Sequence, residues 1–135
     1  MRLFIYCSDP REEADLENKI NKSLILPGEK VMRITTFGGP IFLAHPIVFR
    51  SQANTMLDQI RFAIEKFKPE KIVLVGHNCG FYQEDVSLSK LSVEDKKRDI
   101  FRIRKMLDSR HSGQAFKAYF DISNEQSTKF ENLSA

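Results

Sequence analysis

Lys71-Ile72-Val73-Leu74-Val75-Gly76-His77-Asn78-Cys79-Gly80 runs from a short β-rich segment directly into a histidine and a cysteine bracketed by glycines. Upstream, Ala53, Leu57, Ile60, Ile64 and Phe67 recur at the spacing of one helix face, and that helix must stop before Pro69. Downstream, Ser92 is placed to cap a second helix, with Asp95 near its positive end, Ile100, Ile103 and Leu107 on one side, and Gly113 at its exit. A strand at 71–75 is thus expected between two helices.

The same alternation extends in both directions. Residues 2–7, 31–36 and 116–121 are further β-rich runs, and a weaker helical stretch from Arg11 to Lys22 carries Leu16 and Ile20. Strand and helix in alternation imply an α/β domain of three layers, with a mostly parallel four-stranded sheet covered by helices. At 135 residues one core is ordinary and two would each be marginal, so a single domain over 1–121 is expected, with 122–135 as a polar C-terminal tail.

Composition narrows the function. Hydrophobic residues at 41% and charged residues at 29% argue against a disordered or fibrous chain. The apolar run near Met1 is too short for a signal peptide or a membrane span, so no membrane and a cytoplasmic location are expected. The net charge of +3 is small. Its excess falls at Lys96, Lys97, Arg98, Arg102, Arg104 and Lys105, interrupted by Asp95 and Asp99 without an aromatic platform. That pattern reads as a solvated helix face, with no nucleic-acid partner.

In parallel sheets, functional groups gather beyond the carboxyl ends of the strands. Three segments fall there: 7–11, 37–40 and 76–82. Both cysteines of the chain, Cys7 and Cys79, lie in them, and His77 precedes Cys79 by two residues. Thiolates with an imidazole suit a soft divalent ion, with zinc as the cofactor, Cys7, His77 and Cys79 as its ligands, and a fourth position open. In extended chain, residues i and i+2 point to one face about 6.6 Å apart, so His77 and Cys79 can converge. Plain burial of the three side chains, a Cys7–Cys79 disulfide, and a reactive thiol at Cys79 beside His77 are the alternatives. Asp9 and Arg11 are close enough in sequence for an ion pair beside Cys7, or Asp9 caps a helix while Arg11 is solvated. A phosphate-binding thiol loop is disfavoured, since only three residues separate Cys7 from Arg11.

Cys-Ser-Asp-Pro-Arg at 7–11 resembles the Cys-X-Asp-X-Arg motif of β-class carbonic anhydrases. Val-Gly-His-Asn-Cys-Gly at 75–80 is similar to that family's second motif, and Phe-Gly-Gly-Pro-Ile-Phe-Leu-Ala-His-Pro at 37–46 resembles the glycine turn of a short carbonic anhydrase-like group. The resemblance covers residues 2–121. It implies a first strand flanked by the second and third, a homo-oligomer (a homodimer in that family), zinc on Cys7, His77 and Cys79, an orienting Asp9–Arg11 dyad in the catalytic site, and carbon dioxide and bicarbonate as small-molecule substrates. The family spacing is His-X-X-Cys-Gly, one residue longer than here, so an inward His77 requires a turn after Val75; His45 is a second histidine, read as a satisfied side chain before Pro46 or a replacement donor.

Overall fold

The computed structural model describes residues 1–9 and 13–134. The elements in chain order are β1 (Arg2–Cys7), α1 (Glu13–Ser23), β2 (Val31–Thr36), α2 (Arg50–Phe67), β3 (Ile72–Gly76), α3 (Val93–Arg110), β4 (Phe116–Asp121) and β5 (Phe130–Asn132). The sheet runs β2-β1-β3-β4-β5, parallel except for the last pair. Four strands lie where the β-rich runs place them; the fifth is new. It arises within 122–135, where a loose tail was expected. Asn124 Oδ1 accepts from the amides of Gln126 and Ser127, which turns the chain back and pairs Phe130 with Asp121. Three residues are too short a run to show periodicity.

Register assigns the faces. Leu3 and Ile5 pair with Ile72 and Leu74, which pair with Phe116 and Ala118. On the opposite face the Tyr6 hydroxyl reaches Glu17 of α1 at 2.8 Å, and Lys19 reaches Asp121 at 3.2 Å. Leu16 and Ile20 of α1 are buried as the weak periodicity suggested. The α2 and α3 helices cover the first face, which completes three layers.

Helix α3 starts at a capping box: Ser92 accepts from the Asp95 amide and Asp95 accepts from the Ser92 amide. Ile100, Ile103 and Leu107 are buried, as expected. Helix α2 is rotated relative to the expected stripe. Its buried residues are Ala53, Met56, Ile60 and Ala63, whereas Leu57 and Ile64 flank them and Phe67 is exposed against Phe62. The helix packs chiefly on the turn at 39–44, with Met56 and Ile60 filling the space between its two inward alanines, and the bulkier Leu57, Ile64 and Phe67 fall to the flanks or outside.

One glycine sets the position of α3. A Cβ on Gly76 would lie 2.5 Å from Ile100 Cγ1 and 3.1 Å from Phe120 Cδ2, so the end of β3 fits under α3 only without a side chain. No helix of the described residues is long and apolar enough to cross a membrane.

Candidate metal centre

Strands β1 and β3 are adjacent and parallel, so their carboxyl ends open on the same side of the molecule. Cys7 is the last residue of β1. The β3 strand ends at Gly76, and His77 follows it, lining a cavity together with Asp15, Leu16 and Lys19 of α1. The expected turn directly after Val75 is absent, since the strand continues through Gly76; a bend at Asn78 lies between His77 and Cys79 instead. Gly76, which an ungapped match would make a ligand position, faces Ile100.

The ligand atoms of Cys7, His77 and Cys79 lie within 4.8 Å of one another, and all three residues are buried. The two Sγ atoms are 3.7 Å apart and both cysteines are free. A disulfide needs about 2.05 Å, so this is a contact between two thiols. Two sulfurs at about 2.3 Å from a tetrahedral ion stand about 3.8 Å apart, so the observed separation is that of an ion-binding edge. The group can hold a metal ion.

Backbone amides surround the sulfurs. Cys7 Sγ accepts from the amides of Asp9 at 3.3 Å and Gly38 at 3.2 Å, and Cys79 Sγ accepts from Phe81 at 3.4 Å. Gly38 and Gly39 both have positive φ, and a Cβ on Gly39 would lie 2.7 Å from the Cys7 amide nitrogen. The glycine turn at 37–40 therefore presses against the end of β1 and delivers an N–H to its cysteine. The Cys7 thiol is drawn down to about 4, chiefly by its hydrogen bond with Cys79, against a burial effect that raises it, with His77 adding to the depression.

Asp9 is buried beside Cys7. Arg11 lies outside the described residues, and so does the expected Asp9–Arg11 dyad. His45 does not join the cluster: its Nε2 pairs with Asp99 Oδ2 at 2.8 Å, and that same oxygen accepts from the Tyr82 hydroxyl at 3.1 Å. Burial, followed by the Asp99 charge, raises the Tyr82 phenol. Asp99 of α3 thereby ties down both the turn after β2 and the turn after β3.

Lys96 corrects the expectation of a solvated basic face. It is buried, its ammonium lies 4.9 Å from the centre of the Tyr82 ring, and it donates to Asn78 Oδ1 at 2.6 Å. Of the other basic side chains of α3, Arg98 is exposed and pairs with Asp95, whereas Lys97, paired with Glu94 and Glu131, and Arg104, paired with Asp108, are largely covered. Sequence reading missed Lys96, Asp99 and Tyr82 as supports. A signal was present for the first two, since 96, 99, 100, 103 and 107 share one helix face.

A cavity of about 260 Å³ reaches His77 and is bounded by Asp15, Lys19, Asn78, Asp121 and Ser123. Lys19 spans its carboxylates, at 3.0 Å from Asp15 and 3.2 Å from Asp121. A wider groove of about 860 Å³, between β2 and α2 at Met32, Ile34, Phe62 and Phe67, touches none of the three ligand residues. No protein-family model matches the chain, and no curated protein matches it.

Proposed function

We propose that this chain is a zinc protein of the β-class carbonic anhydrase type, which hydrates carbon dioxide reversibly to bicarbonate. The observation that carries this reading is the meeting of Cys7, His77 and Cys79 within 4.8 Å at the ends of two adjacent parallel strands. The motifs at 7–11 and 75–80 support it. Two thiolates and one imidazole are a donor set that zinc favours, and they leave its fourth position for a small oxygen ligand.

When bound, the ion supplies Lewis acidity that acidifies water at the fourth position towards neutral pH. The chain's own residues do the rest. Cys7 and Cys79 balance the charge of a divalent ion, and the amides of Asp9, Gly38 and Phe81 hold the sulfurs in place. Asp9, buried next to Cys7, would orient a small ligand at the site, with Arg11 as the partner that the motif implies. The resemblance to β-class carbonic anhydrases implies a homodimer as the active unit.

Elemental analysis of purified protein tests this first. About one zinc per chain, lost in Cys7→Ser and in Cys79→Ser, is the expected result, followed by carbon dioxide hydration in a stopped-flow assay. Protein that takes up no zinc overturns the reading. Zinc at that ratio with no hydration leaves a non-catalytic metal site. A thiol-dependent enzyme using Cys79 is the second reading, favoured by the placement of that free cysteine within reach of His77; metal-free protein with a fast-alkylating cysteine would select it.

A further inference from the structure

We propose that Cys7 and Cys79 are also an oxidative modification site, a dithiol that hydroperoxide closes to a disulfide and thiol reductants reopen, so that oxidation expels the metal. The inference rests on the metal reading only in its last clause.

The sulfurs sit 72 residues apart in sequence and 3.7 Å apart in space, in direct contact. Closing that gap to about 2.05 Å needs a movement of under about 2 Å. The amides of Asp9 and Gly38 on one sulfur and Phe81 on the other hold the pair face to face. The cavity of about 260 Å³ stops at His77 and Asn78, beside the cysteine pair, and both sulfurs are themselves buried, so only a molecule as small as hydrogen peroxide is a suitable oxidant.

The chemistry balances without a further reagent. One sulfur attacks the peroxide, the O–O bond breaks, and the departing oxygen leaves as water while the sulfur becomes a sulfenic acid. The second sulfur attacks it, the S–O bond breaks, and the oxygen leaves as a second water. Two thiols and one hydrogen peroxide thus give one disulfide and two waters. The two electrons lost by sulfur are those that reduce the peroxide. A neighbour already in contact traps the sulfenic acid before further oxidation. Sulfur lone pairs committed to the S–S bond no longer carry thiolate charge, so disulfide and metal exclude each other.

The full chain, stripped of metal under reducing conditions, is treated with one equivalent of hydrogen peroxide and followed by intact mass and peptide mapping. The expected product has lost two hydrogen atoms, carries a Cys7–Cys79 linked peptide, retains its circular dichroism, and returns to the starting mass with dithiothreitol. In a parallel arm, zinc-loaded protein should release one zinc per disulfide to a chromophoric chelator. Gain of oxygen atoms on one cysteine, links only between chains, or thiols that survive excess peroxide would overturn the proposal. Absence of zinc uptake in the second arm would instead defeat the metal reading, leaving the first arm decisive for the dithiol.

Discussion

The Lys96 ammonium donates to Asn78 Oδ1 at 2.6 Å, and so a buried cation of α3 grips the residue that separates His77 from Cys79. Groups that orient a ligand segment without touching the metal commonly tune its affinity. Lys96→Met should weaken zinc binding about tenfold, with little change in secondary structure. Lys97→Met, which removes pairs to Glu94 and Glu131 away from His77 and Cys79, should not. Competition against a chromophoric chelator measures both, and equal affinities in the two variants would refute a role for Lys96.

Asp99 Oδ2 serves two donors, His45 and Tyr82, so its loss strands both. Asp99→Ala should cost about 3 kcal/mol in urea unfolding, because it breaks a buried, charged network. Tyr82→Phe, which removes one hydroxyl, should cost about 1 kcal/mol. The order of the two midpoints is the test.

Gly76→Ala places a methyl 2.5 Å from Ile100, in a packed layer that can yield only by moving α3. A loss of about 1–3 kcal/mol is expected. The double variant Gly76→Ala with Ile100→Val should recover part of it, and urea denaturation of the three proteins reads the coupling.

Arg2 and Glu29 form a two-pronged pair at 2.6 and 2.7 Å that ties the start of β1 to the turn before β2. That contact with Arg2 holds the Glu29 carboxyl down to about 2 from an ordinary 4.5. A depressed carboxyl stabilises the fold fully above its unfolded value, and the contribution fades as pH falls through the folded one. Stability should therefore decline between about pH 4.5 and 2 through this pair, and Glu29→Gln should flatten that part of the profile. Thermal midpoints of the two proteins across this range decide it.

Local features of the sequence were enough for much of the fold. Runs rich in β-formers mark β1, β2 and β4 to the residue. Ser92 with Asp95 marks the start of α3, because a cap is made by neighbours in the chain. The same reading grouped Cys7, His77 and Cys79 by the rule that strand ends share one edge. Tertiary structure decided the rest. The inner face of α2 depends on the turn at 39–44 that it packs against. The strand character of 130–132 depends on a partner edge at β4, and the burial of Lys96 on a carboxamide held above it. Whether His77 could meet two sulfurs in spite of the shortened spacing turned on the path of the chain beyond β3, which bends at Asn78. Periodicity and propensity act over a few residues. The distance between two sulfurs 72 residues apart is fixed only when β1 and β3 lock into register.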